Sequence, residues 1–329
     1  MEKYTPPFSI TNNMLLYISQ ISEKVGVLNV TNGLSAKPHL RKNYRIKSIY
    51  ASLKIEANSL SLNQVQDVIN GKLIVGEKRE IQEVKNAYAA YEQLPEINPF
   101  DIKQLLRLHG IMTKYLQDES GVFRSGNEGV FDGDKCVFVA PQPRLVPELI
   151  KKLFAWMKSA KNTVHPLILA GVFHYEFVFI HPFSDGNGRM ARLWHTAILA
   201  KWKPIFEYIP LESQIEKFQN EYYEAIAACH VNGDSTVFVE FMLKQTNAVL
   251  DELINQTANT EGLSQYVQRL LSVMDMSVPY SANELMELLH LKSKETFRKN
   301  YLNPAMKLNL VQFVLPEKPK SKNQRYIKK

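Results

Sequence analysis

Apolar residues recur at intervals of three and four along most of the 329-residue chain, and this spacing limits the fold more than any other feature. Segments 46–53 and 81–91 show it clearly. Residues at these intervals lie on one face of an α-helix, so the pattern predicts amphipathic helices that pack through their apolar faces. We therefore expect an all-α protein built as a helical bundle.

Residues 130–139 depart from the helical pattern. β-forming side chains such as Phe131 and Phe138 flank an Asp132-Gly133 turn, which predicts a short β-hairpin. An isolated hairpin is only marginally stable, so a hairpin kept on a helical body can serve to dock a peptide strand along its edge. A hairpin without such a role fits the sequence equally well.

The C-terminal part of the chain reads as a separate basic module. Apolar periodicity is interrupted near 257–262, and then three helices precede two short strands that flank a basic loop, which predicts a winged helix. Residues 292–329 carry a net charge of +9, which leaves −2 for residues 1–291. A basic module behind a slightly acidic body indicates a polyanionic partner such as DNA, although a solvated basic tail would look the same.

Composition and cysteine usage exclude several protein classes. With 45% apolar and 22% charged residues, the chain is neither disordered nor fibrous. Its two cysteines, Cys136 and Cys229, are far apart in the sequence, which argues against a disulfide framework or a cysteine metal site and favours the cytoplasm. We expect no export signal and no membrane span, because the most apolar segment, 164–180, contains charged and polar residues.

The densest chemical signal is the twelve-residue segment 181–192, HPFSDGNGRMAR. Pro182 disfavours helical geometry at His181, so a helix is expected to end there and leave the imidazole at the start of a loop. The glycines that follow permit a tight turn at the start of the next helix, where backbone N–H groups and the helix dipole bind anions. Arg189 and Arg192 can grip further phosphates, and Asp185 is an oxygen ligand for Mg²⁺. This combination points to phosphoryl or nucleotidyl transfer.

The same segment resembles the Fic family motif, His-Pro-Phe-x-Asp/Glu-Gly-Asn-Gly-Arg-x-x-Arg, at every defined position. The resemblance extends from about residue 41 to residue 243 and includes the sequence Gly-Val-Phe-Arg at 121–124. It implies a Fic-type helical bundle with a hairpin flap, and an enzyme that transfers AMP from ATP to a Ser, Thr or Tyr hydroxyl of a target protein. Relatives that phosphorylate instead carry Lys at the position of Gly188, so Gly188 favours transfer of a nucleotide.

Carried over position by position, the resemblance implies a role for each residue of the motif. His181 would be the base that takes the hydroxyl proton, and Asp185 would hold Mg²⁺. Five residues would hold the ATP phosphates, the first three at the α- and β-phosphates and the last two at the β/γ end: Gly186, Asn187, Gly188, Arg189 and Arg192. The hairpin would align the target strand.

A second segment, 52–58, has the sequence SLKIEAN. Helical spacing places Ser52 and Glu56 on one face, and Glu56 lies near a helix C-terminus, where the dipole disfavours negative charge. The segment resembles the inhibitory helix of Fic proteins, Ser/Thr-x-x-x-Glu-Gly/Asn, whose glutamate pairs with the second motif arginine, here Arg192. It departs from that pattern at Ala57, where Gly or Asn is usual.

These observations divide the chain into an N-terminal helical region (1–95) with an inhibitory helix at about 46–57, a Fic core (96–256) and a winged-helix domain (263–329). Two alternatives to AMP addition stay open. The enzyme could be a phosphodiesterase that removes AMP from a modified protein, or the protein could be a DNA-binding regulator that senses nucleotide. The sequence leaves open the target, the oligomeric state and the residues that contact adenine.

Overall fold

The computed structural model describes residues 4–31, 38–132, 135–258, 263–274, 278–319 and 321–329. Most of them are helical, and the strands form two-stranded antiparallel pairs. Contacts divide the chain into two compact units, one of residues 1–35 and 44–253 and one of residues 36–43 and 254–329. Within the described part, no helix is both long and apolar enough to cross a membrane.

The larger unit consists of helices with one hairpin. In chain order its elements are α1 (Asn12–Thr31), α2 (Pro38–Ile55), α3 (Leu62–Ile69), α4 (Lys78–Tyr91), α5 (Ile102–Met112), β1 (Gly129–Asp132), β2 (Lys135–Val139), α6 (Val146–Ala160), α7 (Pro166–Ile180), α8 (Asn187–Trp202), α9 (Leu211–Lys217), α10 (Gln219–Asn232) and α11 (Thr236–Ala258). The first residues of α2 and the last of α11 belong to the smaller unit.

Helices α7 and α8 form the centre of the larger unit, since nearly every side chain of both is buried. The segment of α7 is apolar around its whole circumference, which is typical of a helix enclosed on all sides. Pro166 occupies its first turn, where a missing N–H costs nothing, and the His165 side chain accepts a hydrogen bond from Leu167 N. The packed pair therefore holds the connecting loop, 181–186, in a fixed place.

The hairpin predicted at 130–139 is present as the antiparallel pair β1 and β2, with a register shift between Val130 and Phe131. Its expected turn at Gly133 falls partly outside the described residues. Phe138 in β2 stacks on His230 of α10, with ring centroids 4.1 Å apart. This contact attaches the second strand to the helical body.

The smaller unit has the helices and the strand pair of the expected winged helix. Its elements are α12 (Gln265–Val273), α13 (Ala282–Leu288), α14 (Lys294–Thr296), a π-helical segment (Phe297–Leu302), α15 (Asn303–Lys307), β3 (Val311–Phe313) and β4 (Tyr326–Lys328). Ser281 and Glu284 form a capping box at the start of α13. A cluster of buried residues that includes Leu270, Leu285 and Phe297 forms its own core.

Candidate active site

The motif occupies the turn between α7 and α8, as its residue types predict. Helix α7 ends at Ile180, and His181 follows in the left-handed conformation with φ 50°. Gly186 is also left-handed, with φ 81°, and precedes the first residue of α8. A non-glycine residue in this conformation is strained, and such strain is concentrated at functional sites. The two left-handed residues therefore begin and end the loop that joins α7 to α8.

The imidazole of His181 has a defined orientation. Its Nδ1 lies 3.4 Å from the carbonyl oxygen of Val178, in the last turn of α7. With Nδ1–H donating to that carbonyl, the Nε2 atom carries the free lone pair. Burial of the side chain lowers the pKa of His181 below its ordinary value. The ring is therefore neutral at neutral pH and can accept a proton at Nε2.

Asn187 closes the loop instead of facing an anion. Its side-chain oxygen accepts from Phe183 N at 3.0 Å, and its amide nitrogen donates to Phe183 O at 2.7 Å. This paired bond fixes the turn that leads into α8. The Asn187 side chain therefore has a structural role in the turn, and its part in phosphate binding stays a prediction.

His109 of α5 supports the same loop, and the sequence analysis missed it. Gly121 N–H donates to its Nδ1 at 3.0 Å, so Nε2 carries the proton and donates to Asp185 O at 3.0 Å. The ring stacks on Phe183 with centroids 3.6 Å apart. Burial lowers the pKa of His109 to about 4, which keeps it neutral. Nothing in the local sequence around His109 indicates this contact, because Asp185 lies 76 residues away in the chain.

Arg124 joins the loop to the hairpin region. Its Nε donates to His181 O at 2.6 Å, and its Nη2 donates to Pro141 O, just after β2. Its backbone N–H donates to Pro182 O at 3.0 Å. Arg124 is 3% exposed. The family resemblance at 121–124 included this residue, but its role as a buried clamp is visible only in three dimensions.

Asp185 and Arg189 face each other at the start of α8. Arg189 Nη2 lies 2.8 Å from Asp185 Oδ1, and the exposed Arg79 of α4 lies 3.2 Å from Oδ2. Burial would raise the pKa of Asp185, but the two arginines and Gly186 N–H lower it overall, so the carboxylate is ionised. Among the described residues, Arg189 Nε and Nη1 are buried without a hydrogen-bond partner. Buried guanidinium donors without partners are costly, and a bound anion would satisfy them.

Arg192 is bound to Ser52 and Glu56, the pairing that the resemblance implies. Its Nε donates to Ser52 Oγ at 3.0 Å, and its Nη2 donates to Ser52 O at 2.9 Å and to Glu56 Oε1 at 2.7 Å. The Arg192 side chain is 1% exposed, whereas that of Glu56 is 32% exposed. Burial alone would lower the pKa of Arg192, but the Glu56 carboxylate raises it overall. The three bonds engage the Nε and Nη2 atoms of Arg192.

Helix α2, which precedes Glu56, begins at Pro38 and ends at Ile55, so it starts earlier than the expected position near 46. Glu56 and Ala57 form the turn that follows it, and Ala57 is left-handed with φ 64°. This conformation explains why the motif usually has Gly or Asn there. Here the alanine accepts the same backbone geometry at a cost in strain.

Within the described residues, no group of three or more His, Cys, Asp or Glu side chains could hold a metal ion by itself. Asp185 remains the one motif carboxylate. Mg²⁺ in nucleotide sites is often held by one or two carboxylates together with substrate phosphates, so an ionised Asp185 at the edge of an anion site fits that donor set.

Comparison with known proteins agrees with this geometry. Residues 99–199 match the Fic/DOC family, and residues 265–327 match the C-terminal domain of Fic-like proteins. A Fic family protein from Desulfovibrio desulfuricans, solved by crystallography, is 40% identical, with a TM-score of 0.74 over 99% of this chain and 98% of that one. The chain belongs to the Fic family. The family and the fold class expected from the motif are thus confirmed.

Curated Fic proteins are more distant. A protein adenylyltransferase Fic from Culex quinquefasciatus is 29% identical over 242 residues, which is 70% of this chain and 46% of that protein. Protein adenylyltransferase fic-1 from Caenorhabditis elegans is 27% identical over 258 residues, which is 75% of this chain and 48% of that protein. The chain therefore spans about half the length of the curated relatives it matches.

Proposed function

We propose that this Fic protein is a protein adenylyltransferase that transfers AMP from ATP to a Ser, Thr or Tyr hydroxyl of a target protein. The observation that carries the proposal is the imidazole of His181, which is neutral at neutral pH and whose Nδ1 lies 3.4 Å from Val178 O, so that the lone pair is on Nε2. A neutral imidazole is the form in which histidine acts as a general base. A domain that only sensed nucleotide would need the anion site but no base.

In the proposed reaction, His181 Nε2 accepts the proton of the target hydroxyl. The hydroxyl oxygen then forms a bond to the α-phosphorus of ATP, the bond from that phosphorus to the bridging oxygen breaks, and pyrophosphate leaves. Backbone N–H groups at 186–188 and the α8 dipole would hold the α- and β-phosphates. Arg189 would bind the phosphate chain through the two guanidinium nitrogens that have no partner in the described structure.

Asp185 is the residue we assign to Mg²⁺, on the strength of its ionised carboxylate next to the anion site. When bound, Mg²⁺ supplies charge neutralisation to the phosphates and the leaving group. The pairing of Asp185 with Arg189 and Arg79 balances its charge in the absence of metal. We further assign target alignment to the hairpin of β1 and β2, since Arg124 and Phe138 connect its ends to the catalytic body.

Regulation belongs to the same proposal. Glu56 would act as an autoinhibitor, because the Arg192 guanidinium that binds it is the group that the β/γ end of ATP would use. We retain the division of the chain at 1–95, 96–256 and 263–329, and we assign the enzyme to the cytoplasm on its cysteine usage.

The test compares wild type, Glu56→Gly and the double variant Glu56→Gly/His181→Ala, each incubated with labelled ATP, Mg²⁺ and a cell lysate. We expect strong AMP labelling by Glu56→Gly, weak labelling by wild type and none by the double variant, with the modified hydroxyl located by mass spectrometry. Transfer of phosphate in place of AMP, or labelling without His181, would contradict the proposal. Removal of AMP from labelled protein by wild type would favour the phosphodiesterase alternative.

A second function, DNA binding, is proposed for the smaller unit. Its support is an open groove of about 720 Å³ lined by seven residues of one helical stretch: Lys294, Glu295, Arg298, Lys299, Asn303, Pro304 and Lys307. All four basic side chains there are exposed, whereas Phe297, Tyr301 and Leu302 turn to the core. A basic face on a winged helix suits the phosphate backbone of a duplex.

A further inference from the structure

Glu212 is a buried carboxylate that the proposed reaction does not use. It lies in the first turn of α9 and is 1% exposed. Its Oε2 accepts from Ser48 Oγ at 2.7 Å, and its Oε1 accepts from Tyr91 OH at 2.8 Å and Thr196 Oγ1 at 3.4 Å. These donors come from α2, α4 and α8. Glu212 therefore joins four helices of the larger unit through one side chain.

Two of the donors lie one helical turn away from the contact between Ser52 and Arg192. Ser48 precedes Ser52 by four residues on α2, and Thr196 follows Arg192 by four residues on α8. Helices α2 and α8 are thus connected at two places, one turn apart. The first connection is direct, from Arg192 to Ser52 and Glu56, and the second passes from Ser48 through Glu212 to Thr196.

A buried carboxylate is stable only while its oxygens are supplied with donors. Withdrawal of α2 would break the hydrogen bond from Ser48 and leave Glu212 Oε2 without this donor, in a buried place that water does not reach freely. Hydrogen bonds to charged groups are stronger than those between neutral groups. The second connection therefore opposes movement of α2, although it contains none of the residues assigned to ATP.

We propose that Glu212 is a positioning residue that holds α2 so that Glu56 reaches Arg192. The proposal rests on autoinhibition by Glu56. Loss of the Ser48 bond would allow α2 to leave Arg192 more often, and ATP would then bind more tightly without any change in the phosphate site itself.

The test uses four variants of the full chain: Ser48→Ala, Thr196→Val, Glu56→Gly and the double variant Ser48→Ala/Glu56→Gly. The first two each remove one hydroxyl donor from Glu212. Thr196→Val removes the longest of the three bonds but leaves Ser48 bonded to Glu212, which Tyr91 of α4 still holds, so it is the matched control. Affinity for ATP is measured by titration calorimetry, and thermal unfolding records the general loss of stability. Hydrogen exchange at 49–56 records opening of α2.

We expect Ser48→Ala to tighten ATP binding by about threefold or more and to speed exchange at 49–56, because it removes a bond to a charged acceptor. Thr196→Val should change ATP affinity by less than about twofold. In the Glu56→Gly background, Ser48→Ala should have no further effect on affinity, since there is no inhibitory contact left to weaken.

Three results would overturn the role of Glu212: unchanged affinity in Ser48→Ala while Glu56→Gly binds ATP more tightly, an equal gain in Thr196→Val, or an additive gain in the double variant. If Glu56→Gly binds ATP no more tightly than wild type, the proposal that Glu56 is an autoinhibitor is itself wrong. The two failures are therefore distinguishable in one set of titrations.

Discussion

Glu56 fills the space directly over the backbone of Gly188. A Cβ placed on Gly188 would collide with Glu56 Oε1 and would lie 3.1 Å from Arg192 Nη1. Gly188 is in the first turn of α8, where free N–H groups bind anions. The Glu56 carboxylate and a bound phosphate would therefore compete both for Arg192 and for the volume above this turn.

This competition predicts the effect of Glu56→Gly on nucleotide affinity. Removing the carboxylate frees Arg192 from a charged hydrogen bond worth about 1.5–3 kcal/mol, so ATP should bind at least about tenfold more tightly. Titration calorimetry measures the change. Glu23→Gly, the same substitution at an exposed position in α1, is the control and should leave affinity unchanged. Equal affinities for Glu56→Gly and wild type would remove Glu56 from the regulatory role.

The lowered pKa of His181 predicts the pH dependence of transfer. The active form of the base is the neutral imidazole, and burial moves the pKa below its ordinary value of 6.5. The rate of transfer should be maximal at neutral pH and should fall only as the pH drops through the lowered pKa of His181. The measurement is kcat/KM for Glu56→Gly from about pH 5 to pH 8, with ATP binding followed in parallel. An acid limb centred above 6.5 would contradict the burial argument.

Asp185→Ala should separate the contribution of Mg²⁺ to ATP affinity from the contribution of the protein itself. The substitution removes the proposed Mg²⁺ ligand and at the same time releases Arg189 from its ion pair. ATP should therefore bind equally well or more tightly in EDTA, whereas the gain in ATP affinity on adding Mg²⁺ should disappear. Paired titrations with and without metal in the Glu56→Gly background measure both effects. Asp251→Ala, on the surface of α11, serves as the control. A retained Mg²⁺ gain would assign the metal to other ligands.

Ala57→Gly tests the strained turn after α2. At φ 64° an alanine is strained by roughly 1–2 kcal/mol, and glycine would relieve this strain. Glycine also raises the conformational entropy of the unfolded chain, which offsets part of the gain in stability. We expect a net stabilisation of about 0.5–1 kcal/mol in chemical denaturation, with autoinhibition intact. Ala89→Gly, at an exposed position inside α4, should instead destabilise by about 0.5–1 kcal/mol. Destabilisation by both would show that the turn at Ala57 is not strained.

Local sequence rules predicted the elements that carry the site. Pro182 after His181 predicts the end of α7, and the glycines that follow predict a tight turn at the start of α8. The helix end and the left-handed residue at Gly186 appear where these local rules put them. The family resemblance supplied the pairing of Glu56 with Arg192, which spans 136 residues and which no local rule could give.

The missed contacts are long-range and lack a sequence pattern. His109 reaches Asp185 across 76 residues, and Glu212 reaches Ser48 across 164. A lone histidine or glutamate in an amphipathic helix looks the same whether it is solvated or is buried with partners. The start of α2 at Pro38 was missed for a related reason, since its first turns are rich in basic residues and show little apolar periodicity.

DNA binding by the smaller unit predicts a steep dependence on salt. If the four cations of the groove, Lys294, Arg298, Lys299 and Lys307, each neutralise one phosphate, the logarithm of affinity for duplex DNA should fall by about 3.6 per unit of log salt. A fourfold rise in salt would then weaken binding by roughly 150-fold.

Substitution of the groove cations distinguishes this contact from a general basic attraction. Arg298→Ala should weaken binding to all duplexes alike and lower the salt slope by about one, because it removes one phosphate contact without removing a base contact. Lys151→Ala, an exposed lysine of α6, removes the same charge elsewhere and should leave the slope unchanged. Fluorescence anisotropy over a salt series measures both. Winged helices also bind proteins, and a flat salt response or the absence of binding at low salt would assign the groove to a protein partner.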